Sequence, residues 1–391
     1  MSEAAAPADR LSKGAVDVLP EGRLAEQIAV AEREGRPLRV KLGIDPTAPD
    51  IHLGHVVVLR KLRQFQDAGH TVVLIVGDYT ARVGDPSGRS AERPVLSAEE
   101  IDANAATFRD QASKVLDPER TEVRMNSEWL EMGSDELFRI ARRFTVARLL
   151  ERDDFQRRIA ADQPISVLEL LYPVLQGYDS VAVRSDVELG GTDQKFNLLF
   201  ARDVQGAFGV PEQSVLTMPI LPGTDGERRM SKSLGNYVGV SEAPEEMFGK
   251  LMSVPDDAMA TYYALLLGEA PGAGHPMEAK RELARRLVAA FHGEEVVAAA
   301  ERRFDQVHVE GGVPDEMPEV ELEGPEVHLP ALIAEQFGIS RSEARRLLAQ
   351  GGVKLDGEAV DGERLDASAA ELDGSVLQVG RRRFARLRAP A

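Results

Sequence analysis

The stretch Leu38-Arg39-Val40-Lys41-Leu42-Gly43-Ile44-Asp45-Pro46-Thr47-Ala48-Pro49-Asp50-Ile51-His52-Leu53-Gly54-His55 decides the fold. Its first seven residues alternate apolar and polar side chains, the period of a strand, and Asp45 to Asp50 breaks that pattern with two prolines. Past His52, the apolar residues Val58, Leu59, Leu62 and Phe65 recur at helical spacing as far as Gly69, a residue suited to a C-terminal cap. Thr71 to Val76 then reads as a buried strand. Strand, loop, helix and strand in so few residues make a βαβ unit, which predicts a parallel sheet with a ligand site at its strand ends. His52 and His55 fall at the helix start.

Residues from about 91 to 164 are mostly helical in pattern and rich in charge, with Trp129 and Phe144 as apolar anchors. They are expected to interrupt the sheet as a helical insertion, a candidate dimerisation element. Strand-like patterning resumes from Ser180 to Leu189, and Gly190-Gly191-Thr192-Asp193-Gln194 opens another helix. The expected class is α/β: an N-terminal tail and helix (1–37), a Rossmann-like parallel-sheet domain (38–240), a helical domain (241–310), an acidic linker (311–327) and a small α+β domain (328–391). The opening MSEAAAPADR reads as a disordered tail, neither a secretory signal nor a membrane span.

Composition narrows the function classes. The 391 residues contain no cysteine, which excludes disulfides and thiolate metal sites and fits a cytoplasmic location. Apolar runs such as Val72 to Val76 are too short to cross a bilayer. A net charge of −18 argues against general nucleic-acid affinity. From His328 onward, however, ten Lys/Arg face nine Asp/Glu, and the last eleven residues carry five arginines and no acid. That shift marks a separate C-terminal module.

Two segments carry phosphate-suited chemistry. A helix N-terminus offers unpaired amide donors and partial positive charge, and His52 and His55 share one face of such a turn, with Gly54 admitting a ligand to the backbone. A helix cap or a stray metal site accounts equally well for those four residues alone, although no H-E-x-x-H pattern or third ligand supports a metal. Downstream, Gly223 to Gly235 sets glycines around Arg228, Arg229, Lys232, Ser231 and Ser233, a loop whose Lys232 can follow charge onto a leaving pyrophosphate. A solvated basic loop is the ordinary alternative, and co-occurrence with the histidine segment reverses that preference.

His52-Leu53-Gly54-His55 and Arg229-Met230-Ser231-Lys232-Ser233 together resemble the class I aminoacyl-tRNA synthetases, whose patterns are HIGH and KMSKS. Gly84-Asp85-Pro86-Ser87-Gly88, Tyr172 with Gln176 and Asp179, and Gly190 to Gln194 make the chain similar to the tyrosine-specific branch. Spacings of four and three put Tyr172, Gln176 and Asp179 on one helical face. Core packing and a helix-end charge would explain the same residues without the resemblance.

The resemblance implies that His52, His55, Lys232 and Arg229 act in catalysis, and that Asp45, Thr47, Gly54, Gly191, Asp193, Met230 and Ser231 border ATP. It implies that Asp85, Tyr172 and Gln176 hold the amino group of tyrosine, that Asp179 takes its phenol hydroxyl, and that Gln194 lies near the adenylate. Arg89 and Arg93 match cations near the mobile loop. Lys41 stands where many relatives place a tyrosine on the first strand, and it either pairs with Asp179 or points away. ATP enters as substrate with Mg²⁺ on its phosphates, without a structural metal.

The end of the chain resembles the RNA-binding domain shared with ribosomal protein S four, with Arg341, Arg345, Arg346 and Lys354 as RNA contacts and Ser340 as helix cap. A solvated amphipathic helix is the alternative for that segment alone. The implied partners are tyrosine, ATP, the tRNA for tyrosine and a second copy of the chain, with no membrane. A tryptophan-specific relative and a non-catalytic RNA-binding regulator are the competing readings.

Overall fold

The computed structural model describes residues 5–47, 49–86, 97–272, 274–308, 317–322, 324–380 and 383–389. Packing divides the chain into two units: Met1–Ala243 with Lys250–Leu287, and Pro244–Gly249 with Val288–Ala391. The helical stretch expected as one domain over 241–310 is therefore shared between them.

The first unit is built on six strands: β1 (Asp17–Leu19), β2 (Arg39–Ile44), β3 (Thr71–Val76), β4 (Thr121–Met125), β5 (Val187–Gly191) and β6 (Ser214–Met218). They lie in the order β1-β6-β5-β2-β3-β4, all parallel except β1 against β6. Counted from β2, the parallel strands run 3-2-1-4-5, so the order reverses between β2 and β5 and opens a crevice at their carboxyl ends. β3 is apolar and buried from Val72 to Val76, as a central parallel strand covered on both faces must be. That same coverage buries Lys41, which the alternation of β2 places on an exposed face.

Three sequence expectations change. β4 is a strand of the main sheet inside the expected insertion, its half-buried residues giving no clear alternation at the sheet edge. The strand expected from Ser180 starts only at Val187, because the helix Val167–Ala182 continues through Ser180 before a turn at Arg184, φ 51°. The opening segment, read as disordered, forms the helix Ala5–Ser12, anchored by buried Ala8 and Leu11.

Two helices position the site. The histidine helix, Leu53–Asp67, buries Leu59, Leu62 and Phe65 against the sheet. The pocket helix, Val167–Ala182, is capped by Ser166 and Glu169 in reciprocal bonds. It packs closely on Lys195–Ala207: a Cβ on Gly177 would lie 2.5 Å from Val204, so only glycine permits this approach.

In the second unit, β7 (Glu319–Glu321), β8 (Glu326–His328), β9 (Val353–Leu355), β10 (Glu358–Ala359), β11 (Asp366–Ser368), β12 (Val376–Val379) and β13 (Arg383–Arg388) form a five-stranded sheet, β10-β9-β12-β13-β7, and the pair β11-β8. The helices Leu329–Phe337 and Arg341–Ala349 close a core containing Leu329, Ile333, Ala344, Leu348, Leu377 and Leu387. β7 and the buried Leu322 come from the stretch expected to be linker: β7 pairs in parallel with β13, so residues 319–322 belong to the module.

Candidate active site

The carboxyl ends of β2, β3 and β5 deliver Asp45, the turn carrying Asp78 and Thr80, and the Gly191-Thr192-Asp193-Gln194 corner. The pocket helix faces them. Tyr172 donates its hydroxyl to Asp45 Oδ2 (2.8 Å), and Thr80 donates to Asp45 Oδ1 (2.7 Å). Asn126, after β4, donates to Thr80 Oγ1 (2.9 Å) and reaches Asp179 Oδ2 (3.5 Å), while Trp129 Nε1 donates to Asp179 Oδ1 (2.8 Å). Asp85 accepts from Gln194 Nε2 (2.7 Å). Tyr172, Asp179, Asp45, Asp85 and Gln194 thus line one crevice, and Gln176 leaves its Oε1 buried without a partner among the described residues.

Burial dominates the electrostatics of this crevice. It pushes Asp45 up to about 7 and Asp179 up to about 6, and the carboxylates raise one another. Thr80 and Tyr172 oppose the rise at Asp45; the charge of Lys41 and the bonds from Trp129 and Asn126 oppose it at Asp179. Burial also raises Asp193 and holds the Tyr172 phenol well above its ordinary value. A buried set of carboxylates that raise each other's affinity for protons is suited to an ammonium group, which relieves the repulsion directly.

Of the two courses its sequence position left open, Lys41 takes the second and points away from Asp179. Its Nζ lies 2.8 Å from Glu188 Oε1, with the side chains 0% and 1% exposed. It sits beneath the pocket helix rather than on Asp179. Trp129, Asn126 and Thr80 bond the candidate site side chains and Glu188 pairs with Lys41 beneath them; the sequence did not single out Asn126, Thr80 or Glu188. Trp129 read only as an apolar anchor, although the indole N–H of even a partly buried tryptophan usually finds an acceptor.

The histidines are held by their own backbone. His52 Nδ1 accepts from Gly54 N (3.1 Å), His55 Nδ1 accepts from His52 N (3.2 Å), and the rings stack 3.8 Å apart. A Cβ on Gly54 would sit 2.9 Å from the His52 ring, so this glycine makes room for the cap itself. With Nδ1 as acceptor in both rings, each neutral imidazole carries its proton on Nε2. Burial lowers His52 to about 2, with His55 contributing, and His55 to about 4. The segment is therefore a pair of neutral donors.

The basic loop lies beside it. Pro222 and Arg229 form an antiparallel bridge, as do His52 and Gly239, and Leu53 N donates to Val238 O (2.9 Å), which fixes the two motifs side by side. Met230 is buried near Gly54. Ser231 N donates to Asn236 Oδ1 (2.9 Å). Lys232 pairs with Asp50 (2.9 Å) and Arg229 with Asp193 (3.3 Å). Thr47 lies exposed on the same loop as Asp50, and Gly191 closes β5. Arg89 and Arg93 lie outside the described residues. Among the described residues, no three His, Asp or Glu side chains converge to hold a metal, and no helix is long and apolar enough to cross a membrane.

In the second unit Ser340 caps its helix by accepting from Glu343 N (3.1 Å). Arg341, Arg345 and Arg346 are exposed on that helix, with Arg346 3.8 Å from Glu343, and Lys354 is exposed on β9. This charge stands on an exposed face over an apolar core.

Comparison with known proteins places the chain among similar ones. The family model described as tRNA synthetases class I (W and Y) matches residues 33–309, and the S4 domain model matches residues 329–368. A tyrosine–tRNA ligase of Moorella thermoacetica is 51% identical over 96% of this chain and 94% of its own length. One of Burkholderia mallei is 50% identical over 96% and 93%. Among solved structures, the tyrosyl-tRNA synthetase of Archaeoglobus fulgidus complexed with L-tyrosine shares the fold, with a TM-score of 0.60 at 23% identity over 76% of this chain and 99% of that one.

Proposed function

This chain belongs to the class I tRNA synthetases of the tryptophan and tyrosine type, and within them to the tyrosine–tRNA ligases, and from that membership we propose how its residues perform the reaction. The enzyme activates tyrosine with ATP and transfers it to tRNA. The observation that carries the residue assignment is the single crevice where Asp179, held by Trp129, lies on the same helix as Tyr172, itself bonded to Asp45.

Tyrosine binds with its ammonium among Tyr172, Gln176 and Asp85, beside Asp45, and with its phenol hydroxyl donating to Asp179. Phenylalanine leaves Asp179 buried without that donor, a penalty of about 1–3 kcal/mol. The ribose of ATP takes Asp193 from Arg229, and the base and phosphates lie along Gly191, Thr47, Gly54, Met230 and Ser231. The tyrosine carboxylate attacks the α-phosphorus, a bond forms to its oxygen, and the bond to pyrophosphate breaks. A carboxylate is already a nucleophile, so no general base is required. The histidine Nε2–H donors meet charge developing on the phosphates without bringing charge of their own. Lys232 leaves Asp50 to follow the departing pyrophosphate. Mg²⁺ would be held by the phosphates of ATP rather than by a cluster of side chains among the described residues, and would supply neutralisation of phosphate charge there. A ribose hydroxyl of the 3′-terminal adenosine of the tRNA then attacks the tyrosyl carbonyl carbon; the ester forms as the anhydride bond breaks, AMP leaves, and the hydroxyl proton passes to a phosphate oxygen of that AMP, while Arg341, Arg345, Arg346 and Lys354 hold RNA phosphates.

The enzyme works in the cytoplasm as a homodimer. Exposed Phe138, Val146, Ile159, Val167 and Leu168, all within 138–168, supply the apolar face for a second copy. Amino-acid-dependent ATP–pyrophosphate exchange tests the assignment: tyrosine should drive it, and exchange driven by tryptophan instead would overturn it.

A further inference from the structure

Lys41 and Glu188 are cross-strand neighbours in the register of β2 and β5, and both are fully enclosed. Their remaining bonds run to the pocket helix. Lys41 Nζ donates to the Gln176 carbonyl (3.1 Å) and to Ser180 Oγ (2.8 Å), and Ser180 Oγ donates to Glu188 Oε2 (3.1 Å). Gln213, just before β6, donates to that same carboxylate oxygen. The sheet thereby grips the turn from Gln176 to Ser180, the turn that carries Asp179.

A buried ion pair is a poor source of net stability, because desolvation of both charges offsets their attraction and an apolar pair of the same shape serves a core as well. What this pair supplies beyond packing is a set of directed bonds to one turn of one helix. We propose that Lys41 and Glu188 are positioning residues for substrate recognition: they clamp the 176–180 turn so that Asp179 meets the phenol hydroxyl of tyrosine. This rests on the tyrosine reading of the pocket.

The charge of Lys41 acts in the same direction, as the largest influence keeping Asp179 ionised against burial. The other groups bearing on Asp179 are Trp129 and Asn126 from the segment after β4, Glu188 from β5 and Asp45 beyond β2. Trp129 is the sole tryptophan of the chain, so its emission reports the ionisation of its acceptor.

The test uses the full chain with two variants. The double variant Lys41→Met with Glu188→Gln removes both charges at nearly constant shape, and Ser180→Ala removes only the hydroxyl linking the pair to the helix. In the double variant the KM for tyrosine in ATP–pyrophosphate exchange should rise about tenfold while kcat falls less than about threefold, and the Trp129 transition should move up by about one pH unit, the equivalent of that tenfold change. Ser180→Ala should raise KM in the same direction by about threefold, the loss of one neutral hydrogen bond. A folded double variant with the parent's KM and the parent's Trp129 transition overturns the proposal. Should the double variant not fold, an unchanged KM and transition in Ser180→Ala overturns it equally. If the parent itself shows no tyrosine-driven exchange, the substrate reading fails, whereas the Trp129 titration still decides the clamp.

Discussion

The imidazoles of His52 and His55 stack 3.8 Å apart, each with its Nδ1 accepting from a backbone N–H of the same helix turn. The arrangement fixes the proton on Nε2 and, with burial, keeps both rings neutral far below their ordinary pKa of 6.5. An amide side chain can imitate such a donor. Glutamine, whose amide nitrogen reaches the Nε2 position, imitates it: His52→Gln and His55→Gln should retain most of the rate of adenylate formation, whereas His52→Ala should lose on the order of 10²-fold. Single-turnover kinetics from about pH 5.5 to pH 8 should show no inflection from these rings. A loss in His52→Gln as large as in His52→Ala would contradict the donor role.

Asp45 titrates near 7 and Asp179 near 6 in the folded protein, against 3.8 for an ordinary aspartate. Between about pH 4 and pH 7 the folded state therefore binds more protons than the unfolded chain, and stability falls as pH rises through that window. His52 and His55 act oppositely: their lowered values remove stability as pH falls below 6.5. Asp45→Asn deletes one descending contribution. Urea unfolding from about pH 5 to pH 8 should show the variant gaining on the parent by more than about 1 kcal/mol, and parallel curves would rule this out.

Lys232 rests on Asp50, at 2.9 Å, with both side chains about a third exposed. Lys232→Met should slow adenylate formation strongly while leaving tyrosine affinity nearly unchanged, because its service lies on the leaving group. Asp50→Asn should instead release the lysine and lower the KM for ATP by up to about fivefold, the worth of a partly exposed ion pair. Weaker ATP binding in Asp50→Asn would show that Asp50 contacts the nucleotide side instead.

Arg341 and Arg345 project from the capped helix of the second unit. Arg341→Ala with Arg345→Ala should raise the KM for tRNA and flatten its salt dependence by about one unit of slope per lost phosphate contact, with pyrophosphate exchange untouched. An unchanged salt slope would remove these arginines from the RNA face.

Much of this was legible in the chain, and what was not has physical reasons. The βαβ unit at 38–76 emerged because β3 is continuously apolar from Val72 to Val76 and the histidine helix has a clean periodicity. β4 escaped because an edge strand of five half-buried residues carries no strong pattern. The pocket helix was visible as a face but not as far as Ala182, since Ser180 is buried for its bonds to Lys41 and Glu188 rather than for apolarity. Those bonds are long-range: 139 residues separate Lys41 from Ser180, so no local spacing could disclose them. The neutrality of the histidines likewise follows from burial and not from residue type.

The most direct measurement is ATP–pyrophosphate exchange by the purified protein with tyrosine, phenylalanine or tryptophan, in the parent and in Asp179→Asn. Tyrosine should drive exchange in the parent with phenylalanine and tryptophan near background, and Asp179→Asn should lose most of its preference for tyrosine over phenylalanine. Exchange driven by tryptophan, or an undiminished preference in Asp179→Asn, would contradict the assignment of this crevice to the phenol of tyrosine.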